Sequence, residues 1–333
     1  MTGGTDHEAP VDTRADQPGS VLARLDRPAG ERTRFAVVAD PHVSTKEQGT
    51  SKLFELTEAH FAAAIDDIAT RNVDAVLSPG DLTKDGELWN YEAVDDILGT
   101  LDAPFYAVPG NHDVPKDRDD HDTPGLDRFT DVYTPSDPVA RGPDGLSFRV
   151  RVGDVNVLGI NTSGSADRLY ESHEGHVDAA QREWLAAELD GVEDALVLMH
   201  HNLPGITDQL DAHREAVEPE FADIPAMREG DRLAETLADG NVGFVISGHY
   251  HIPAMAVTGG VREVATPTTC SFPQAYLLCD VTPAGTTVRF VPVADDIGLE
   301  RAHTRRIADS ETARGLTAIA AARMARFPLV DEH

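Results

Sequence analysis

Short apolar runs alternate with helix-like segments along the first third of the chain. The runs predict buried strands, and the segments between them repeat apolar residues at the helical spacing. In chain order these elements span 34–39, 53–71, 74–78, 87–101 and 104–108. Strands that alternate with helices pair in parallel through right-handed crossovers, so the pattern predicts a layered α/β fold.

The second half of the chain predicts a further sheet. Two strands, 146–152 and 155–160, are expected to form a hairpin, and Asp178 is expected to cap a helix that ends at Leu189. The remaining strands and helices are expected at 194–199, 231–237, 242–247, 254–258, 261–265, 275–281, 286–292 and 311–327. The last of these is an amphipathic helix that we expect to pack on the core; the alternative is an oligomer contact, such as that of a homodimer.

Composition divides the chain into three parts. Residues 1–32 are rich in Gly, Pro, Asp and Thr without periodicity, and we expect a disordered or loosely attached tail there. Residues 33–293 form one domain, and residues 294–333 form a C-terminal helical extension. Within the domain, the segments 114–145 and 202–226 are expected to be loops. No apolar run approaches the roughly 18 residues of a membrane span, and the N-terminus lacks signal-peptide features, so we expect a cytoplasmic protein without a membrane partner.

The net charge of −30, from 58 acidic and 28 basic residues, changes this picture in one respect. The Debye length falls from about 8 Å at physiological ionic strength to about 3 Å at 1 M salt, which screens such self-repulsion. We therefore expect the surface of a halophile's protein; the alternative is an acidic protein adapted to ordinary salt. A basic face is not evident, so no stable nucleic-acid partner is expected. The two cysteines, Cys270 and Cys279, are expected to be reduced core thiols, with Cys270 near the polar patches described next.

Five polar patches each follow a predicted strand. They are Asp40-Pro41-His42, Gly80-Asp81, Gly110-Asn111-His112-Asp113, His200-His201 and Gly248-His249-Tyr250-His251. Each alone has an ordinary explanation as turn or capping residues. Because strand ends lie side by side in a layered fold, all five together predict a shared metal site.

The donor atoms indicate the kind of metal. Oxygen and nitrogen donors without a thiolate predict two divalent ions, with manganese, iron or zinc as the first candidates. The expected ligands are Asp40, His42, Asp81, Asn111, His200, His249 and His251, and His201 is the alternative to His200. Asp81 suits a position shared by both ions because Gly80 permits close backbone approach. Two ions about 3.5–4 Å apart neutralise a phosphoryl group and activate water.

The order of the patches resembles the signature of the calcineurin-like metallophosphoesterases, D-x-H, G-D, G-N-H-[DE], H and G-H-x-H, over roughly residues 33–293. The stretches 178–185, 197–201 and 266–270 are similar to the class III cyclic nucleotide phosphodiesterase branch. The resemblance implies a four-layer αββα sandwich of two mixed β-sheets flanked by helices. It also implies a hydrolase of small-molecule phosphomonoesters or phosphodiesters, 3',5'-cyclic nucleotides among them. A nuclease is the alternative, and a non-catalytic scaffold is the least favoured because every ligand is retained.

The resemblance also implies a role for each of these residues. It implies that Asp40, His42 and His251 hold one ion, that Asn111, His200 and His249 hold the other, and that Asp81 is shared. His112 is then not a ligand but contacts the phosphate and donates a proton to the leaving oxygen, and Asp113 is expected to hold the His112 ring. Lys84 stands where purple acid phosphatases carry a tyrosine, which argues against an iron–tyrosinate site.

Overall fold

The predicted apolar runs pair into two sheets in the computed structural model, which describes residues 19–116, 123–165 and 171–333. The strands are β1 Ser20–Leu25, β2 Thr33–Val37, β3 Ala75–Ser78, β4 Phe105–Ala107, β5 Ala140–Arg141, β6 Phe148–Val152, β7 Val155–Ile160, β8 Leu196–Met199, β9 Phe244–Ser247, β10 Ala254–Thr258, β11 Val261–Ala265, β12 Ala275–Thr282, β13 Gly285–Pro292 and β14 Val330–Asp331.

Eight helices accompany these strands within the described residues. They are α1 Thr57–Ala69, α2 Leu88–Leu98, α3 Leu126–Tyr133, α4 Ala179–Leu189, α5 Pro204–Ala216, α6 Gly230–Asp239, α7 Asp296–Asp309 and α8 Glu311–Met324. The predicted cap of α4 is confirmed, because the Asp178 side chain accepts a hydrogen bond from the Gln181 backbone N–H. None of these helices has the length and apolar content needed to cross a bilayer.

Both sheets are mixed and contain seven strands. The first has the order β14-β1-β13-β12-β2-β3-β4, and the second has the order β10-β11-β9-β8-β7-β6-β5. In the first sheet β2, β3 and β4 are parallel neighbours, and in the second β7, β8, β9 and β11 are parallel neighbours. The carboxyl ends of these parallel strands form the edge of each sheet from which the polar patches emerge.

Successive side chains along each strand point to opposite faces of the sheet, so each sheet packs against a different layer on each face. On β3, Leu77 points into the apolar core between the sheets, whereas Val76 packs with α1 residues on the opposite face. On β8, Leu198 faces the same inter-sheet core, and Val197 packs against Leu185 of α4. Each sheet therefore carries helices on its outer face and shares one core with the other sheet, which confirms the predicted four-layer αββα sandwich.

The structure departs from the predicted domain ends. Residues 1–18 of the predicted tail lie outside the described residues, but β1 pairs with β13, so the tail prediction is wrong for residues 20–25. The C-terminal extension holds α7, α8 and also β14, which pairs with β1. The two ends of the chain thus meet at one edge of the first sheet, a contact that local sequence patterns do not encode. The core packing predicted for the last helix is confirmed by the burial of Ile319 and Ala320.

The two predicted loops contain regular structure. Helix α5 occupies about half of 202–226, and α3 and β5 lie within 114–145, of which residues 117–122 lie outside the described residues. Helix α5 buries only Ile206, Thr207 and Leu210. So short an apolar stripe in a polar segment produces little helical periodicity in the sequence.

One buried carboxyl connects segments behind the strand ends. Glu263 on β11 is fully buried and accepts hydrogen bonds from the Ser247 hydroxyl at 2.6 Å, the Asn202 amide at 3.0 Å and the Leu203 backbone N–H at 3.1 Å. Burial raises the pKa of Glu263 to about 7, and these three donors offset it only in part. Because Ser247 ends β9 and Asn202 follows β8, this carboxyl fixes two strand ends relative to each other.

The raised pKa of Glu263 predicts how stability depends on pH. A carboxyl with a higher pKa in the folded state than in the unfolded chain binds more protons when folded, so the free energy of unfolding falls as pH rises from about 5 to about 8. Each unit of pKa difference is worth about 1.4 kcal/mol. Glu263→Gln should flatten this decline, as measured by urea unfolding at several pH values in constant salt. Glu235→Gln, at an exposed position on α6, is the control; equal slopes in the two variants would contradict the prediction.

The charge of −30 predicts a salt requirement. Between about 0.15 M and about 1 M KCl the Debye length falls from about 8 Å to about 3 Å, and the melting temperature should rise because repulsion among the acidic side chains is screened. Differential scanning calorimetry measures this. The rise should level off near molar salt, since screening is then nearly complete. A melting temperature that falls with salt, or does not change, would show that the surface is not adapted to salt.

Candidate functional site

The polar patches come together where the two sheets meet at their carboxyl edges. The first sheet supplies Asp40, His42, Asp81 and Asn111, which follow β2, β3 and β4. The second sheet supplies His200, His249 and His251, which follow β8 and β9. All seven predicted ligands are therefore neighbours, and the site lies on the seam between the sheets.

The backbone at these strand ends is unusual. Five of the seven predicted ligands have a positive φ: Asp40 at 49°, His42 at 43°, Asp81 at 55°, His249 at 72° and His251 at 57°. Residues other than glycine adopt this region at a cost of order 1–3 kcal/mol each. The surrounding fold keeps all five residues in this backbone conformation. As a result, their side chains point toward the same cluster.

Two glycines allow the first-sheet loops to touch. Gly80 has φ of 101°, and a Cβ at this position would lie 2.3 Å from the backbone N of Gly110. A Cβ on Gly110 would in turn lie 2.1 Å from Oδ1 of Asp81. The close approach expected at Gly80 is therefore present, and it brings the Asn111 loop against Asp81.

One group of donor atoms consists of Asp40, His42, Asp81 and His251. Nε2 of His42 lies 3.0 Å from Nε2 of His251 and 3.4 Å from Oδ2 of Asp81. Nε2 of His251 lies 3.3 Å from Oδ1 of Asp40. These atoms converge on a volume small enough for one ion.

A second group surrounds Asn111. Its Oδ1 atom lies 2.9 Å from Nε2 of His200 and 3.0 Å from Nδ1 of His249. Nε2 of His200 is also 3.5 Å from Oδ2 of Asp81. The same carboxylate oxygen of Asp81 thus faces both groups.

The residues present fit divalent metal ions. Burial lowers the pKa of His42, His249 and His251, which keeps these imidazoles neutral, the state in which a ring nitrogen is a ligand. Oδ2 of Asp40 is buried without a hydrogen-bond partner. Nδ1 of His200 lies 2.9 Å from the carbonyl oxygen of Pro79, and donation to that oxygen leaves Nε2 free to face the cluster. Burial favours protonation of Asp81, but the charges of His200, His112 and Lys52 outweigh burial and lower its pKa.

His201 occupies a different position from His200. Its Nδ1 atom lies 2.8 Å from the hydroxyl oxygen of Thr162, and its Nε2 atom is buried without a hydrogen-bond partner. His201 lies near His200 and His249. The short contacts with Asn111 and Asp81 described above are made by His200, which favours His200 over His201 as the ligand.

His112 stands at the edge of the cluster. Its backbone N–H donates to Oδ1 of Asp81 at 2.7 Å. Its ring Nδ1 lies 2.5 Å from the carbonyl oxygen of Lys84 and 3.0 Å from Oδ1 of Asp85. The other ring nitrogen, Nε2, lies 3.4 Å from Nζ of Lys52 and faces the cleft.

Asp113 does not hold the His112 ring, so that prediction is wrong. The Asp113 carboxylate accepts backbone hydrogen bonds from Gly110 at 2.9 Å and from Leu82 and Thr83 at 3.2 Å each. Burial, together with the charge of Asp81, raises the pKa of Asp113 to about 7. This side chain joins the loops after β3 and β4, while the carboxylate beside the ring is Asp85, which the ligand motifs do not include.

The charge at Asp85 is set by its neighbours. Burial acts to raise the pKa of Asp85, but the hydrogen bond and charge of His112 and those of Lys84 outweigh it and lower the pKa. Lys84 Nζ lies 2.5 Å from Oδ2 of Asp85. Asp85 therefore remains an anion next to the ring.

The cleft above the cluster has a wall that the sequence did not predict. A cavity of about 280 Å³ is lined by Lys52, His112 and His173 and, from the C-terminal extension, by Arg306, Ser310 and Leu316. Arg306 of α7 is buried and donates to the carbonyl oxygens of His251 at 2.9 Å and Tyr250 at 3.3 Å, and also to that of Phe272. The C-terminal extension is therefore part of the site, since it supports the loop that carries His249 and His251.

The two cysteines are buried and free, as predicted. Cys270 lies beside Thr268, whose hydroxyl oxygen is 3.1 Å from Sγ of Cys270 and 2.6 Å from the carbonyl oxygen of Asp40. Burial raises the pKa of Cys270 to about 11. The thiol is thus close to the site, as expected, but it is held in its protonated form.

Comparisons with known proteins point to the same family as the five patches do. The sequence model of the calcineurin-like phosphoesterase family matches residues 33–253. The 3',5'-cyclic adenosine monophosphate phosphodiesterase CpdA of Haemophilus influenzae is 25% identical over 240 residues, which cover 70% of this chain and 75% of that protein. The protein of the same name from Escherichia coli K12 is 25% identical over 249 residues, which cover 73% and 78% of the two chains.

A solved structure supports the fold. The crystal structure of a dimetal phosphatase from Danio rerio superposes with a TM-score of 0.61 at 14% identity, covering 79% of this chain and 97% of that chain. The resemblance inferred from the five patches is confirmed, and with it the prediction of a metal-dependent phosphoric ester hydrolase. Because the family model spans well over half of the sequence, the chain belongs to the calcineurin-like phosphoesterase family.

Proposed function

We propose that this protein is a dinuclear metal-dependent phosphodiesterase of small phosphate esters, with 3',5'-cyclic nucleotides as the favoured substrate class. The observation that carries the proposal is the convergence of seven candidate ligands and one further histidine on the seam between the sheets. The relatives named as cyclic adenosine monophosphate phosphodiesterases support the choice of substrate class.

We propose that the two groups of contacts correspond to two metal ions. Asp40, His42 and His251 would hold one ion, and Asn111, His200 and His249 would hold the other. Oδ2 of Asp81 lies 3.4 Å from Nε2 of His42 and 3.5 Å from Nε2 of His200, which supports the proposal that it would serve both ions. When bound, two divalent ions such as manganese, iron or zinc neutralise phosphoryl charge and activate water.

His112 is proposed to donate the proton that the leaving oxygen requires. Hydrogen bonds from Nδ1 to the Lys84 carbonyl and to Asp85 orient the ring, and the Asp85 carboxylate stabilises its positively charged form. Nε2 faces the cleft and would carry the proton that is transferred. Lys52, whose Nζ lies 3.4 Å from Nε2 of His112 and 3.2 Å from Nδ1 of His42, adds a cation where phosphate oxygens would bind.

The first test removes the proposed proton donor. With Mn²⁺ and molar KCl, the wild-type protein should hydrolyse bis-p-nitrophenyl phosphate and 3',5'-cyclic AMP. His112→Ala should lower kcat by about 10²–10⁴-fold, the usual contribution of a general acid. Elemental analysis should still find two metal ions per chain in the variant, because His112 is not a ligand. His303→Ala, at a histidine packed against Phe272 outside the cleft, is the control and should retain its turnover.

Two outcomes would contradict this proposal. If wild-type protein with its full metal content hydrolyses no phosphate ester, the chain is not a phosphoesterase under these conditions and the scaffold hypothesis gains support. If it cleaves single- or double-stranded DNA faster than small esters, the nuclease alternative is favoured instead.

A second test distinguishes the two carboxylates near His112. Asp85→Asn should lower kcat by about 10–100-fold, the usual effect of losing a carboxylate that supports an active-site histidine. It should also move the basic limb of the pH–rate profile to lower pH, because a neutral amide stabilises the charged imidazole less. Asp113→Asn should instead lower the melting temperature without moving that limb, since Asp113 bonds to backbone N–H groups. If only Asp113→Asn moves the pH profile, the assignment to Asp85 is wrong.

A further inference from the structure

A second cavity lies away from the metal ligands, and its charge is unusual for this chain. It has a volume of about 490 Å³, within the usual range of small-molecule sites of about 300–1,000 Å³. We call it the arginine cavity, after Arg262, Arg323 and Arg326 in its wall. It lies where β10 and β11, at one edge of the second sheet, meet the end of α8 and the segment leading into β14.

The three arginines have different partners. Arg262 is neutralised by two carboxylates, Glu332 at 2.7 Å and Asp26 at 3.0 Å. Arg323 donates to the neutral amide oxygen of Gln209 at 2.5 Å. Among the residues that the structure describes, neither Arg323 nor Arg326 forms an ion pair. The Arg323 and Arg326 guanidinium groups thus line the cavity without an ion-pair partner among the described residues, because the Glu332 carboxylate in the same wall pairs with Arg262.

Two neighbouring arginines without a carboxylate partner, Arg323 half-buried and Arg326 exposed, call for an explanation. Burial and, after it, the charge of Arg326 lower the pKa of Arg323. The chain has 58 acidic residues for 28 basic ones, so acidic partners are plentiful elsewhere on the surface. A helix C-terminus does favour basic residues, by about 0.3–1 kcal/mol each. That preference explains one arginine in the last turn of α8, but not two lining a cavity with Arg262 opposite.

The rest of the wall contains the Gln209 amide and the Glu332 carboxylate, which pairs with Arg262, together with apolar side chains. Met255 of β10, Leu329 and Val330 contribute aliphatic surface beside the guanidinium groups. A guanidinium binds carboxylate or phosphate oxygens in pairs through its planar N–H groups. The cavity therefore combines an oxyanion-binding end with a surface suited to a small apolar body.

We propose that the arginine cavity is a binding site for a small organic oxyanion, a phosphate monoester or carboxylate with an apolar body, held by Arg323 and Arg326. This site is separate from the metal cluster. The first turns of α8 line the catalytic cleft at Ala313 and Leu316, and its last turn reaches the arginine cavity ten residues later, about 15 Å along the helix. The proposal does not depend on the activity proposed above.

Arginine footprinting tests the site in the wild-type, metal-loaded protein. Phenylglyoxal modification of Arg323 and Arg326 is followed by mass spectrometry with and without phenylphosphonate or phthalate, in the lowest salt that keeps the protein folded. We expect at least a five-fold slower modification of both residues, and an unchanged rate at the exposed Arg232, which serves as control. Protection by one probe alone assigns the site to phosphate or to carboxylate ligands. Protection by neither probe, or equal protection of Arg232, overturns the proposal.

Calorimetry gives an independent readout. Phenylphosphonate also has access to the metal site, so the wild-type protein should bind it at one more site than the double variant Arg323→Gln/Arg326→Gln. Arg232→Gln removes a comparable positive charge from an exposed site and should bind as the wild type does. Circular dichroism confirms that each variant is folded. If phthalate alone protects in the footprinting, phthalate replaces phenylphosphonate as the titrant. With the protecting probe, an equal number of sites in the wild type and in the double variant overturns the proposal even if the metal site binds normally.

Discussion

The position of the Asp81 carboxylate is the constraint on which the rest of the site depends. One of its oxygens faces ligands from both sheets, and the other accepts the backbone N–H of His112. This is possible because β3 lies between β2 and β4 in the first sheet, and because Gly80 and Gly110 let adjacent loops come within contact. A side chain at either glycine would push the loop carrying Asn111 and His112 away. The order of the strands and the absence of two Cβ atoms are therefore as important to the chemistry as the ligands.

Much of this could be predicted from the sequence, because the information is local. Each ligand follows directly on a short apolar run, and the ends of parallel strands necessarily share one edge. Asp40, Asp81 and His200 were therefore identifiable before their neighbours in space were known. The core strands were equally evident, since a run such as 242–247 is apolar enough to be buried on both faces.

The parts that were missed depend on contacts between distant residues or on the geometry of a turn. Asp113 follows His112 in sequence, yet the turn between Gly110 and Asp113 sends its carboxylate toward backbone N–H groups, and Asp85 takes the place beside the ring. Arg306 lies 55 residues from His251, and nothing local to α7 indicates that its side chain enters the catalytic loop. Strand β1 could not be predicted from the sequence because its apolar residues occupy a short segment next to a tail without periodicity.

The joining of the two sheets at the seam has a consequence for folding as well as for chemistry. His42 and His251 are 209 residues apart in the chain, and their ring nitrogens are 3.0 Å apart. An ion held between them would act as a cross-link that closes a very long loop. By analogy with a disulfide, closing this loop would reduce the conformational entropy of the unfolded chain. The free energy of unfolding would rise by an amount on the order of 5 kcal/mol. The free energy of unfolding would then depend on the metal content, and loss of the ions would remove a cross-link between the two halves of the chain.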